Sequence, residues 1–232
     1  MVRKYTPLIV SAVIVLLLSS CAFIPVRTEP LSSNSKFESI VVSNNIELIY
    51  TPGPNVKYSV EASPEATKRV RMEVRGSSLS LSTRNVDGKV KITLTSPSVS
   101  MIVANNNASV TVTGPLAVKD FTAAANNNSS IKFTSPFDAT ELTVTASGLA
   151  SVDFSSLNAD EFIVSASDLS TVTAAGSGKE VIFTSMNNAS INAGLYKAFS
   201  GVATASGNST IKICVDDPQT TVTDNATIEN LL

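Results

Sequence analysis

Side chains that could do chemistry are scarce in this sequence. It has no histidine and no tryptophan, and its two cysteines are Cys21 and Cys214. The missing imidazole removes the commonest metal ligand and the most frequent general acid–base group. The chemistry that these residue types allow therefore begins with the two thiols and with the carboxylates.

Cys21 ends a segment with the features of a secretory signal. Arg3 and Lys4 make a basic start, an apolar run follows at 8–18, and "LSSC" closes the segment at 18–21. The apolar run is too short to span a membrane comfortably as a mature anchor. The four closing residues resemble the bacterial lipobox, in which the cysteine sulfur carries diacylglycerol after cleavage. We predict a lipoprotein signal peptide over 1–20 and lipid on Cys21, which would attach the protein to a membrane; a plain signal peptide is the alternative.

The residues after Cys21 predict a tether and a location. Residues 21–36 are rich in proline, serine and asparagine, a composition typical of linkers. In the lipoproteins that this segment resembles, a non-acidic residue such as Ala22 suggests sorting to the outer membrane. The segment has no acidic run, which weakens the case for export to the cell surface. The expected location is the cell envelope, on either the periplasmic or the outer face of the outer membrane.

Charge argues against a nucleic-acid partner. Removal of Arg3 and Lys4 with the signal peptide leaves 15 basic against 19 acidic residues, a net charge of −4. Phosphate binding needs a dense basic face, which this composition does not supply. If Cys21 carries lipid, Cys214 has no intramolecular disulfide partner. We expect Cys214 to be a small packed residue, the alternative being a reactive thiol.

The carboxylates are not arranged as the catalytic acids of an enzyme would be. Lys132 and Asp153 occupy equivalent outward positions, which predicts an exposed ion pair. Asp120, Asp138 and the pair at 160–161 fall near bends, where solvated residues are expected, and not in one cleft as glycoside hydrolysis requires. We predict no enzymatic activity, no cofactor and no metal site.

A repeat organises these side chains. Seven β-branched residues recur 17 to 21 positions apart, each after a pair of small residues: Val110, Ile131, Val152, Val172, Ile191, Ile211 and Ile228. A period near 20 is typical of solenoids. Apolar residues alternate on both sides of these positions, as in strands with one face inward. The sequence predicts an all-β fold: a single-stranded, right-handed parallel β-helix with coils of about 20 residues over 104–232.

Each coil turns at a fixed corner. The residue four before the repeat position is always Asn, Asp or Gly, as at Gly148 and Gly207, and these types tolerate a left-handed backbone. The residue three before it is usually asparagine, and we expect these amides to form a ladder along the axis. The predicted ladder residues are Asn107, Asn128, Asn188, Asn208 and Asn225. The same motif creates matches to the glycosylation sequon, which a bacterial lipoprotein would leave unused.

One outward row of hydroxyls is the candidate binding face. It consists of Thr145, Ser165, Thr184 and Thr204. Such a row could bind sugar or order water, or it could be ordinary solvated strand surface.

Residues 37–103 are β-like but show no corner motif, and they are predicted to form an amino-terminal cap and the first coils. The order "FESIVVSNNIELIYTPGPNVKYSVEA", "GSSLSLST", "KVKITLTSP" and then polar β coils resembles the putative auto-transporter adhesin, head GIN domain family over about residues 37–220. The resemblance implies a β-helix of the pectate-lyase-like kind and an adhesin role in bacterial lipoproteins. It supplies no site residues.

Three functions remain open at this stage. The first is a non-enzymatic adhesion or envelope-interaction protein, anchored through Cys21, with an unknown macromolecular or glycan ligand. The second is a carbohydrate-binding module or a degenerate polysaccharide-active enzyme, and the third is a passive spacer. The sequence does not identify the ligand or the oligomeric state.

Overall fold

The computed structural model describes residues 31–32 and 35–232, and this part of the chain is almost entirely β-structure. The predicted signal peptide, Cys21 and most of the predicted tether lie outside the described residues. Within them, sixteen strands join one sheet, and the single helix, α1 (Pro64–Thr67), has four residues. No described helix has the length and apolar content needed to cross a bilayer.

Beyond residue 100 the chain forms stacked coils. The strands are β7 (Met101–Asn105), β8 (Ser109–Val112), β9 (Leu116–Asn126), β10 (Ser130–Phe133), β11 (Phe137–Ser147), β12 (Ser151–Ala166), β13 (Thr171–Ser185), β14 (Ser190–Ala205), β15 (Thr210–Val222) and β16 (Thr227–Asn230). Each of β7 to β15 pairs in parallel with a strand about 20 residues later. The seven repeat positions, from Val110 to Ile228, are register partners in one continuous column. The predicted parallel β-solenoid is confirmed, with about six turns.

The core is a narrow space that successive coils fill together. Inward positions alternate with outward ones along each strand and are almost completely buried. Phe133 and Phe154 stack with ring centroids 4.4 Å apart, and Phe121 and Phe137 contact Phe133 edge-on. Such aromatic pairs add about 0.5–1.5 kcal/mol beyond burial. Cys214, expected to pack as a small residue, is only partly buried.

The first two coils stack in an order different from their order in the chain. Their strands are β1 (Ser39–Ser43), β2 (Ile46–Pro52), β5 (Ser78–Thr83) and β6 (Val90–Ser96). β1 lies between β5 and β7, and β2 lies between β6 and β8. The later coil is therefore the outermost one. Ser39 pairs with both Ser78 and Met101, so a period of 20 is not visible in this part of the sequence.

A corner of the repeated type also occurs in this region, which corrects the expectation that 37–103 lacks it. Asn44 and Asn45 have left-handed φ values of 61° and 58°. Their backbone N–H groups donate to the backbone carbonyls of Asn105 and Asn106, respectively. The corner escaped notice because Ile46 and a glutamate follow it, where the later coils have a pair of small residues.

Two antiparallel strands line the outer side of the outermost coil. β3 (Lys57–Glu61) pairs with β6, and β4 (Val70–Arg75) pairs with β5. Between them in the chain lies α1, and the Ser63 hydroxyl caps it by accepting the backbone amide of Ala66. These strands cover edges that would otherwise be free to pair with another chain.

Candidate functional site

The corner that recurs in every coil, called here the Asn corner, is built on left-handed backbone. Seven residues in equivalent positions have φ between 52° and 72°: Asn106, Asn127, Gly148, Asp168, Asn187, Gly207 and Asp224. At Gly207 a Cβ atom would lie 2.9 Å from the Cα and carbonyl oxygen of Asn187, so this coil has no room for a side chain there. The residues four positions before each repeat residue, whose types predict a left-handed backbone, therefore lie at the turn of each coil.

Amide ladders link the Asn corners of neighbouring coils. Asn128 donates from Nδ2 to Oδ1 of Asn107 at 2.6 Å. Asn208 donates in the same way to Asn188 at 3.2 Å, and Asn225 donates to Asn208 at 3.4 Å. The ladder has two parts, because Leu149 and Leu169 occupy the intervening positions with 62% and 59% of their area exposed. The polar groups of this corner mainly satisfy one another.

Buried serines, which the sequence analysis did not single out, support every second Asn corner. The Ser129 hydroxyl accepts the Asn126 amide and donates to the Ala104 carbonyl of the preceding coil, both at 2.8 Å. Ser170, two coils later, and Ser209, four coils later, make the same two kinds of hydrogen bond. Their signal in the sequence is the alternation of Ala and Ser just before the repeat position.

The structure brings the four predicted hydroxyl residues into one row. Thr145, Ser165, Thr184 and Thr204 are successive register partners on β11 to β14. The parallel outward row beside them contains Thr143, Ile163, Ile182 and Val202. Hydroxyl donors therefore lie beside partly exposed aliphatic side chains, and we call these two rows the hydroxyl face. Such a mixed surface can contact a macromolecule without any titratable group.

The expected pair of Lys132 and Asp153 is present on adjacent coils. Lys132 Nζ lies 3.6 Å from Asp153 Oδ2, and the two side chains are 57% and 39% exposed. At this exposure the pair contributes at most about 1 kcal/mol.

Carboxylates line the bend opposite the Asn corner, and among them are Asp120 and Glu161, which the sequence analysis placed near bends. Asp120, Glu141, Glu161 and Glu180 are register partners on four successive coils. Like charges on neighbouring strands repel, so this row weakens the stack slightly. In the described part of the chain, no group of three or more His, Cys, Asp or Glu side chains is arranged to hold a metal ion.

A cavity of 290 Å³ opens on this opposite bend, where β12, β13 and β14 lie side by side. The segments that line it are 158–160, 177–179 and 197–199, and we call this part of the bend the cavity bend. Asn158 donates to Asp138 at 3.1 Å, and Lys179 Nζ lies 2.8 Å from Asp160 Oδ2. Phe199 is 66% exposed at the cavity, and Leu195 on the same strand is 81% exposed.

The cavity bend is fixed from beneath. The buried Tyr196 hydroxyl donates to the Ala159 carbonyl at 2.8 Å, and burial raises the pKa of Tyr196 far above its usual value. A Cβ atom on Gly178 would collide with both of these oxygen atoms, so only glycine fits. Sequence reasoning missed this site because β14 has one residue more than β13 between the Thr173–Asn192 and Ala175–Leu195 pairs, which shifts the register along the cavity. The available signal was Phe199, an aromatic residue among polar ones.

The putative auto-transporter adhesin, head GIN domain family matches residues 36–223. The fold is similar to solved structures of putative adhesins from Parabacteroides merdae (TM-score 0.74, 17% identity, 86% of this chain and 93% of that one) and Bacteroides fragilis (TM-score 0.72, 17%, 86% and 94%). It is also similar to a putative lipid binding protein from Parabacteroides distasonis (TM-score 0.73, 14%, 84% and 93%). No curated protein matches the sequence.

Proposed function

Because this chain belongs to the putative auto-transporter adhesin, head GIN domain family, we propose that it is a non-enzymatic adhesion protein of the bacterial cell envelope. In this proposal the β-solenoid is a rigid body whose outer surface binds another macromolecule. Lipid on Cys21 holds it to the outer membrane, and residues 21–36 let it stand away from the bilayer.

The observation that carries the proposal is the regularity of the outward rows. Thr145 and Thr204 lie three coils apart, yet the parallel register holds them and the two hydroxyls between them in one line. Strands stack about 4.8 Å apart, so the spacing of the row is set by the backbone. A surface that is ordered before it binds loses little conformational entropy on binding, which favours adhesion through many weak contacts.

Binding is tested with the lipid-free chain from residue 22, immobilised on beads and offered intact bacteria, envelope fractions and epithelial cells. The proposal expects saturable attachment to at least one of these surfaces. Attachment to none of them would contradict it. Turnover of a polysaccharide by the same preparation would contradict the non-enzymatic part.

Anchoring is tested separately, with Cys21→Ala in cells. The native protein should partition into detergent and yield a first peptide that carries a diacylglycerol mass on Cys21, whereas the variant should not. An unmodified amino-terminal peptide in the native protein would contradict lipidation. Recovery in the inner-membrane fraction of a density gradient would contradict the outer-membrane location.

A further inference from the structure

We propose that the cavity bend is a carbohydrate site that binds one or two neutral pyranose rings of a glycan. The inference rests on the proposed adhesive function and gives it a ligand class and a location. It adds a sugar site at the bend opposite the Asn corner to the broader contacts that the hydroxyl face can make.

Phe199 supplies an apolar platform at the mouth of the cavity. Two thirds of this large side chain is exposed, beside the Lys179–Asp160 pair on the two preceding coils. An aromatic face is a suitable contact for the C–H surface of a pyranose ring, which is apolar on one side and polar at its edge. Ligand sites typically combine such an apolar surface with a few placed polar groups.

The polar lining matches the hydroxyl groups at the edge of a sugar ring. Asp160 supplies carboxylate acceptors, Lys179 and Lys197 supply ammonium donors, and Asn158 and Ser177 can do both. Each sugar hydroxyl donates one hydrogen bond and accepts others, so a lining of mixed donors and acceptors serves it better than a lining of one kind. The volume of 290 Å³ lies near the lower end of about 300–1,000 Å³ for ligand pockets, which suits one or two rings.

Charge around the cavity favours a neutral sugar over an acidic one. Lys179 pairs with Asp160 at 2.8 Å, and Lys197 is the second lysine of the lining. Glu161 and Glu180 lie next to Asp160 and Lys179 in the chain, on the same bend, as part of the carboxylate row. A carboxylate on the ligand would approach this row, and its repulsion would offset the attraction of the lysines.

The site is held in place before any ligand arrives. The hydrogen bond from Tyr196 to Ala159 joins β14 to β12 beneath the cavity, and the close approach at Gly178 locks β13 between them. The lining side chains therefore project from three parallel strands whose spacing is fixed. Binding need not order a loop, which lowers its entropic cost.

The test uses the lipid-free chain from residue 22 and five probes: the methyl pyranosides of glucose, galactose, mannose and N-acetylglucosamine, and methyl glucuronide as the acidic comparison. Each is added at about 10 mM, since isolated sugar rings are expected to bind in the millimolar range. We expect saturation transfer from the protein to the ring protons of at least one neutral probe. Amide shifts should be confined to 158–160, 177–179 and 197–199.

Phe199→Ala is the decisive variant, and Leu195→Ala is its matched control. Both remove a large exposed side chain from β14, so neither opens a cavity in the core. Phe199→Ala should weaken binding of the neutral probe at least tenfold, and Leu195→Ala should leave it within twofold. Asp160→Asn should also weaken binding, because it removes a carboxylate acceptor and the partner of Lys179.

The outcomes separate this inference from the proposed function. No signal from any neutral probe, binding of the glucuronide alone, or equal binding by Phe199→Ala would each overturn the site. If beads attach to cells while Phe199→Ala and free sugar change nothing, the site is wrong and adhesion stands. If no surface is bound in the first place, the proposed function fails.

Discussion

Each coil has an Asn corner and a bend on the opposite side, and the two are built in different ways. At the Asn corner the same solution recurs from Asn106 to Asp224: left-handed backbone, amides bonded to amides, and a buried serine in every second coil. At the opposite bend the coils differ in length, register and charge, and one part of it opens into a cavity. The comparison separates the part of the coil that maintains the stack from the part that is free to vary.

The difference has a physical cause. A corner whose polar groups bond to one another has little hydrogen-bonding capacity left for a ligand, and any change in it propagates to both neighbours. The cavity bend keeps carboxylate, ammonium and amide groups at its surface, so it can exchange water for a ligand. We therefore assign the regular stacking of the coils to the Asn corner and recognition to the surface of the cavity bend, above its packed base.

The largest effect is expected from a methyl group added beneath the cavity. Gly178→Ala would push Cβ into the Ala159 carbonyl and the Tyr196 hydroxyl, and overpacking of this kind costs about 3 kcal/mol of unfolding free energy. Gly148→Ala at the Asn corner is the control, because its Cβ would lie 3.3 Å from the Asn127 nitrogen and should cost about 1 kcal/mol, mainly from its left-handed φ. Urea denaturation measures the unfolding free energy of both variants. A larger loss in Gly148→Ala than in Gly178→Ala would contradict the packing described for the two bends.

The next effect concerns the buried serines of the Asn corner. Ser170→Ala removes the acceptor for the Ser167 amide and the donor to the Ala146 carbonyl, which should cost about 2 kcal/mol. Ser165→Ala, which removes a hydroxyl from the hydroxyl face, should change stability by less than about 0.5 kcal/mol. Equal losses in the two variants would mean that the corner serines do not support the coil.

Tyr196→Phe should cost about 1 kcal/mol at neutral pH, because the Ala159 carbonyl loses its hydroxyl donor. Burial raises the pKa of Tyr196 in the folded state, so the folded protein holds this proton more tightly than the unfolded chain does. Stability is therefore fully present below the unfolded pKa of about 10 and falls as pH rises above it. In denaturation series at several alkaline pH values, Tyr196→Phe should show a shallower decline, and an unchanged slope would contradict the burial of this phenol.

The smallest effect is a gain in stability. Leu149→Asn together with Leu169→Asn would join the two parts of the amide ladder, and because the new hydrogen bonds are exposed to water they should together add less than about 1 kcal/mol. Thermal unfolding measures the gain. The double variant should bind the neutral sugar probe as the native chain does. Loss of sugar or cell binding would show that the exposed leucines take part in recognition, against the division between the two bends.

The regular part of the molecule could be predicted from the sequence, because every coil of a periodic stack uses the same local structure. The small pair before Val110 and Ile131, with Asn or Gly ahead of it, was enough to place the corner, the inward column and the hydroxyl face. The corner at Asn44 was missed because Ile46 stands where the later coils have the first residue of the small pair. The exchanged order of the first two coils was also missed, since it depends on pairing between strands 62 residues apart.

The cavity bend was beyond sequence reasoning for a different reason. Asp160, Lys179 and Phe199 are spaced by 19 and 20 residues, and they meet only if β14 shifts register after Asn192. The shift lies beside the packed residues Tyr196 and Gly178, and no local sequence pattern records it. Irregular bends are set by tertiary contacts, so their sites appear only in the structure.

Amide hydrogen exchange of the mature chain, with and without the envelope or cell-surface fraction that it binds, tests the division between the two bends most directly. The account expects slower exchange in the bound state at 158–160, 177–179 and 197–199, with unchanged exchange at the Asn corners. Slower exchange at the Asn corners, with the cavity bend unaffected, would contradict it.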